Sequence, residues 1–175
     1  MKSRKIILAA SGASGVVLAN RLARELEHRC DLYFITTPNS HTVASKEQNI
    51  TLLDNADISA PTASGSFGAD AMIVAPCSMN TLAKIACGIA DNLVTRSAAV
   101  MLKEQKKLIL APREMPFSAI SLENMLKLSR LGVIIAPPVV AYYSNQQSLE
   151  EMESFLVGKW LDLLGLEHNL YKRWQ

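Results

Sequence analysis

The chain has 175 residues, 49% of them hydrophobic and 19% charged, with a formal net charge of +2. That is the size and balance of one globular domain with a core of its own, and it excludes a disordered or low-complexity chain. With Lys103, Lys106 and Lys107 as the densest basic cluster, the charge is too small for a nucleic-acid footprint, so any anion site must be local.

The opening MKSRKIILAA imitates a secretion signal, but its apolar run breaks after five residues at Ser11 and Gly12, too short for one. No window approaches the roughly 18 unbroken apolar residues of a membrane span, and a cytoplasmic protein is expected. Runs suited to buried parallel strands lie at residues 5–10, 31–35, 71–75, 107–111 and 132–136. Helical spacing fills the intervals: residues 16–28, with Val17, Leu18, Leu22 and Leu26 near one face, then 79–90, 93–103, 118–130 and 148–164. Strand alternating with helix predicts an α/β fold. The expectation is a single domain over residues 1–175 with a doubly wound, mainly parallel sheet in three layers, Rossmann-like or flavodoxin-like. Cys30, Cys77 and Cys87 are odd in number and lack CxxC spacing or a nearby His pair, so buried free thiols are expected.

In such sheets ligands sit beyond the carboxyl ends of the strands. The segments there are SGASG, TTPNS, PCSMNT, PREMPFS and PPVVAYY. Residues 54–68, DNADISAPTASGSFG, read as a long polar loop of functional length. The tail from about residue 165 to 175, ending HNLYKRWQ, either docks on a neighbouring subunit or frays.

SGASG fails the dinucleotide fingerprint, since only Gly12 and Gly15 are present, and no GxxxxGK[ST] follows. What remains is a turn with amides at a helix N-terminus and two hydroxyls, Ser11 and Ser14. That suits a phosphate or a flavin edge, and equally a plain turn in which Ser14 caps the helix. In PCSMNT, Pro76 is expected to end the strand, while Ser78, Asn80 and Thr81 can cap the next helix or donate to an anion. Arg113 and Glu114 follow an apolar strand directly, where unpaired charge is expensive. Either they pair with structural charges, or they form an Arg fork beside a proton donor, the equipment for cleaving a phosphate ester's C–O bond. His28, His41 and His168 lack metal spacing and read as surface or core residues. Glu47 passes as a solvated residue on pattern alone, and Tyr142 and Tyr143 serve either packing or phosphate donation.

Together SGASG, ASGS at residues 63–66, PCSMNTLA, GIADNLVTRSAAVMLKE, LILAPREMPFS, LENMLKLSRLG, AYY and the terminal RW resemble the UbiX-type flavin prenyltransferase family, in order and over nearly the whole chain. The resemblance implies a metal-independent transferase that joins a dimethylallyl group from dimethylallyl monophosphate to N5 and C6 of reduced FMN. The prenylated FMN would serve a UbiD-type decarboxylase in ubiquinone synthesis or aromatic acid metabolism. It also implies a homo-oligomer built from trimers, a dodecamer, with the site shared between subunits. Carried over by motif, Gly12, Ala13, Ser14, Thr37, Ser78, Met79, Asn80, Thr81 and Arg113 would hold FMN. Lys103, Arg113, Glu114, Tyr143 and Lys159 would surround the dimethylallyl phosphate, Ser64 and Gly65 would line the cleft, and Trp174 would close it. Glu114 would protonate the leaving phosphate with Ser14 as relay and Lys103 as fixed charge, and Glu47 would orient or deprotonate the flavin edge.

Two departures stand out. Lys159 occupies a position where some members of the family have Arg, which keeps the charge but loses the bidentate fork. The family's IHLENM block reads ISLENM, with Ser121 in place of His. Two rival readings follow from related proteins: a flavin-dependent cysteine decarboxylase, and a non-enzymatic FMN-binding subunit of an aromatic acid decarboxylase. PREMPFS stands where the cysteine decarboxylases carry PxMNxxMW, which argues against the first.

Overall fold

The computed structural model describes residues 3–12, 15–36 and 50–174. Six strands, β1 (Lys5–Ala9), β2 (Asp31–Thr36), β3 (Ile50–Asp54), β4 (Ala71–Cys77), β5 (Lys107–Pro112) and β6 (Ile134–Ile135), form one sheet in the order β3-β2-β1-β4-β5-β6. Every pairing is parallel. This is the Rossmann-type order, and it reverses direction between β1 and β4, the place where such sheets open a crevice for ligands.

The helices are α1 (Val16–Glu27), α2 (Met79–Cys87), α3 (Leu93–Lys103), α4 (Ala119–Arg130) and α5 (Leu149–Leu164). Side chains alternate across a strand. Ile6 and Leu8 of β1 therefore pack with Leu22 and Leu26 of α1 and with Val157, Trp160 and Leu161 of α5. Ile7 and Ala9 pack on the opposite face with Leu82 of α2, Met101 of α3 and Leu128 of α4. Three layers result, with apolar side chains buried on both faces of the central strands.

Local chemistry sets the helix ends. Asn92 and Thr95 form a capping box at the start of α3: the Thr95 amide donates to Asn92 Oδ1 at 3.0 Å, and the Asn92 amide to Thr95 Oγ1 at 3.2 Å. Ser148 caps α5 by accepting from the Glu151 amide at 3.1 Å. Gly88 adopts a left-handed φ of 74° and stops α2 at Cys87, short of the expected residue 90.

One further expectation needs correction, and two elements add to it. Pro76 does not end its strand: β4 continues through it to Cys77, with a register shift against β5 between Val74 and Cys77. The shift turns Ala75 and Cys77, which plain alternation would put on one face, toward opposite cores. β3 ends where the stretch read as polar loop begins and has no counterpart among the expected strands, because it is an edge strand with no buried residue and burial imposes no pattern on it. The loop between β3 and β4 is not featureless either; it contains short 3-10 turns at Pro61–Ala63 and Gly65–Phe67. Among the described residues, no helix is long and apolar enough to cross a membrane.

Cys30 and Cys77 are buried as expected, but Cys87 is exposed. Burial pushes both buried thiols up to about 12, in Cys77 against hydrogen bonds that favour the thiolate. An aromatic disulfide reagent at mildly alkaline pH should therefore label Cys87 alone in the native protein, with Cys30 and Cys77 reacting only in denaturant. Rapid native labelling of a second thiol, read by mass, would contradict this arrangement.

Candidate active site

The turn after β1 is built on two glycines with positive φ, Gly12 at 99° and Gly15 at 93°, the second being the N-cap of α1. A Cβ on Gly15 would lie 3.4 Å from Pro76 Cγ and 3.5 Å from Arg113 Cδ, so this turn is pressed against the ends of β4 and β5. Ser11 stitches the two turns. Its amide donates to the Pro76 carbonyl at 2.9 Å, and its hydroxyl accepts from the Ser78 amide at 3.0 Å. The Ser11 hydroxyl oxygen thus serves the scaffold as an acceptor while its O–H keeps a donor at the pocket.

Ser78 caps α2: its Oγ accepts from the Thr81 amide at 3.2 Å and meets Thr81 Oγ1 at 3.1 Å. Thr81 is buried beneath this cap, so the structure gives it a part in the cap, while Asn80 is exposed. A pocket of 140 Å³ opens at the crevice, lined by Ser11, Gly12, Pro76, Cys77, Ser78, Met79, Arg113 and Glu114. Gly12, Ser78, Met79, Arg113 and Glu114 are therefore brought together as expected. Arg113 and Glu114 are exposed at its rim, and Glu114 Oε1 accepts from the Met115 amide at 3.1 Å.

Ser64, Gly65 and Lys103 lie elsewhere. The loop carrying Gly65 meets the amino end of β1, where the Lys5 ammonium donates to the Phe67 carbonyl at 3.1 Å. Lys103 closes α3 just before β5 begins. It is ion-paired with Glu104, and a Cβ on Gly65 would collide with the Glu104 carboxylate. That ion pair holds the Glu104 carboxyl below its usual range. Ser97 donates to Thr62 Oγ1 at 2.9 Å, Arg96 Nε to the Ala63 carbonyl at 3.3 Å, and the Val94 amide to Asn55 Oδ1 at 3.0 Å; together they fasten the loop along α3. This cluster sits at the amino edge of the sheet. The seven residues of β4, roughly 20 Å of extended chain, separate it from the pocket.

A third group gathers on α5. Tyr143 meets Phe155 with ring centroids 5.8 Å apart and Trp174 at 5.5 Å, both edge to face. Lys159, exposed, lies one helical turn beyond Phe155. The chain after Gly165 folds back onto its own last helix: His168, Tyr171 and Arg173 all bond to Asp162. The tail is thus seated on its own last helix rather than frayed, and Trp174 at its end is 78% exposed. Burial alone would raise the Asp162 carboxyl, but hydrogen bonds from Arg173, Tyr171 and His168 outweigh it and hold it down at about 2. Burial and the bond to Asp162 raise the Tyr171 hydroxyl to about 12. Expectations for Ala13, Ser14, Thr37 and Glu47 lie outside the described residues.

Sequence reasoning missed Ser11 as a stitch, Glu104 as the partner of Lys103, and Asp162. Only Gly158, an isolated glycine inside a helical pattern, carried a signal that something packs closely there.

Comparison with known proteins bears on this arrangement. The flavoprotein family model matches residues 1–159. The flavin prenyltransferase UbiX of Campylobacter jejuni is 50% identical over 98% of this chain and 98% of its own. The chain belongs to the UbiX flavin prenyltransferases. The UbiX of Methanocaldococcus jannaschii is 43% identical over 97% of this chain and 98% of its own. Among solved structures, AnUbiX (PadA1) in complex with FMN and dimethylallyl pyrophosphate superposes with a TM-score of 0.89 at 37% identity, covering 99% of this chain and 98% of that one. The dodecameric FMN-dependent UbiX-like decarboxylase of Escherichia coli O157:H7 gives 0.89 at 40% identity, over 98% and 99%.

Two outcomes follow from the geometry. Gly15→Ala forces a side chain into a left-handed turn between Pro76 and Arg113, and should weaken FMN binding about tenfold or more while the protein stays folded; fluorescence titration with FMN measures it. The second concerns acid. The Asp162 carboxyl is lowered in the folded protein from 3.8 to about 2, so its contribution is present above 3.8 and lost as pH falls through about 2. The melting-temperature gap between the wild type and Asp162→Asn, open at neutral pH, should close over that window; a gap independent of pH would contradict the assignment.

Proposed function

We propose that this chain transfers the dimethylallyl group of dimethylallyl monophosphate to reduced FMN, and that the crevice at the ends of β1, β4 and β5 binds the flavin. The observation that carries this reading is the cradle itself. Two positive-φ glycines, a capped helix start and Arg113 converge there, and a Cβ on Gly15 would stand in van der Waals contact with Pro76 and Arg113. Such a site suits an anionic phosphate, with helix amides and a guanidinium as donors. Gly12, Ser78, Met79, Asn80 and Arg113 would hold FMN, with Ala13, Ser14 and Thr37 completing the set and Thr81 supporting it through the cap.

Reduced FMN, when bound, supplies the nucleophilic N5 and C6 that accept the prenyl carbon. The protein's own work lies at the other end of the breaking bond. The allylic C–O electron pair leaves with the phosphate, and Arg113, Lys103 and Lys159 offset the charge that develops there. Glu114 supplies the proton that makes inorganic phosphate a better leaving group, with Ser14 as relay. Closing the second bond would consume the prenyl double bond, which the proton displaced from N5 can protonate; the proton then displaced from C6 would return to Glu114 or to phosphate, and Glu47 would orient the flavin edge.

Lys103, Ser64 and Gly65 cannot reach that pocket within one chain. We infer that a neighbouring copy brings them, the Lys103–Glu104 pair opening to let the ammonium meet phosphate. Exposed apolar side chains support such an assembly: Leu122 and Leu126, one turn apart on α4, and Met115, 91% exposed beside Glu114. A dodecamer built from trimers, in the cytoplasm and handing prenylated FMN to a UbiD-type decarboxylase, is the arrangement this reading favours. The whole chain then acts as one domain, with Tyr143 and Trp174 over the prenyl chain.

Anaerobic incubation with reduced FMN and dimethylallyl monophosphate should yield a flavin heavier by one prenyl unit; unmodified flavin after turnover conditions that suit a homologue would refute the proposal. Glu114→Gln should leave FMN bound and slow phosphate release about a hundredfold. Lys103→Ala should be comparably impaired, and co-expressing the two variants should restore part of the activity, because mixed assemblies contain sites with both residues intact. No recovery from mixed assemblies would overturn the delivery of Lys103 by a neighbouring copy.

A further inference from the structure

Asp162, on α5, collects three side chains from the tail. The Leu170 amide donates to His168 Nδ1 at 3.1 Å, which leaves Nε2 to carry the proton and donate to Asp162 Oδ1 at 3.0 Å. Arg173 Nη2 donates to the same oxygen at 2.8 Å, and the Tyr171 hydroxyl donates to Oδ2. One turn earlier, Gly158 forms a notch. A Cβ there would stand 2.6 Å from Tyr171 Cδ1 and 2.8 Å from His168 Cε1, so only glycine admits both rings.

Phe155, Gly158 and Asp162 occupy positions i, i+3 and i+7, one face of the helix. Tyr171 lies against Phe155 at 5.0 Å, and Phe155 against Tyr143. The seat, the aromatic pair of Tyr143 and Trp174, and Lys159 therefore share one stretch of α5. Trp174 reaches Tyr143 only if residues 168–173 are held where Asp162 and Gly158 put them.

We propose that Gly158 and Asp162 form a seat for the chain's own tail that positions Trp174 against Tyr143 at the prenyl-phosphate subsite, which makes Asp162 a positioning residue for substrate capture. This rests on the function proposed above. Asp162 does not touch substrate; it acts through Trp174.

The test uses the full-length protein with saturating reduced FMN and varied dimethylallyl monophosphate. Asp162→Ala should raise KM about tenfold, the loss expected of one charge-assisted hydrogen bond, with kcat and FMN affinity little changed. Trp174→Ala should do the same, and the double variant should be no worse than the worse single one. Asp162→Glu should recover part of the loss. Limited trypsin digestion gives a readout without turnover: Lys172 and Arg173 flank the bonds to Asp162, so a released tail should be cut there faster in Asp162→Ala than in the wild type. Should Asp162→Ala fold poorly, Tyr171→Phe and Arg173→Ala remove the same bonds from the tail side and carry the same expectation. An active wild type with unchanged KM in these variants, or additive effects in the double variant, would overturn the seat. Wild-type inactivity with these substrates would instead overturn the function reading on which the substrate role rests.

Discussion

Two hydrogen bonds made by Ser11 decide where everything else in the crevice can stand. The Ser11 amide to the Pro76 carbonyl and the Ser78 amide to the Ser11 hydroxyl tie the turn after β1 to the turn after β4 across the point where the strand order reverses. An open sheet would let these turns splay apart. Fastened, they bring the N-terminus of α2 beside the glycine turn and leave Arg113 against Gly15. Ser11 is buried, so both bonds form away from bulk water, where leaving such groups unpaired costs about 1–3 kcal/mol each. The register shift in β4 serves the same end, since it re-aims the last strand residue and so the serine that caps the next helix.

The same sheet that organises the pocket denies it a lysine. Parallel strands put all their carboxyl ends on one edge, and a long loop fastened along α3 necessarily returns to the other. Gly65 is pressed onto the Lys103–Glu104 pair there, a strand's length from Arg113. Arg113 stands at the pocket within the chain, whereas Lys103 could serve a departing phosphate there only if a second copy brought it, as proposed above.

The central architecture was legible because its signals are local and strong. Buried strands such as IILAA and MIVA are continuous apolar runs, and α3 reads correctly to the residue because Asn92 and Thr95 mark its start. β3 was not legible, since an exposed edge strand has no burial to impose a pattern. Within the site, Ser78 and Arg113 could be placed because each directly follows a strand, and Gly12 because it lies in the turn after β1. The pairing of Lys103 with Glu104 and the gathering of His168, Tyr171 and Arg173 on Asp162 could not, because they depend on side chains meeting after the chain has folded. Ser121, which stands where the family has His, finds a plain structural use: its amide donates to Ser118 Oγ at 3.2 Å and the two hydroxyls meet at 3.0 Å, closing the cap of α4.

The last helix resolves the meaning of Lys159. An arginine at that position would offer a planar fork and hold a phosphate bidentately by itself; a lysine offers a point charge on a mobile stem and needs other groups to fix the ester's orientation. On this chain Tyr143 and Trp174 gather against the face of α5 that carries Phe155. α5 is braced at its carboxyl end by the Lys107 ammonium, which donates to the Leu163 carbonyl at 2.7 Å, and on its α1 side by Arg21, which bonds Glu153 at 3.2 Å. It thus presents Lys159, Tyr143 and the seated Trp174 from one rigid support. In the function proposed above, orientation that a guanidinium would supply through two bonds would come instead from two aromatic faces, and Lys159 would provide charge alone.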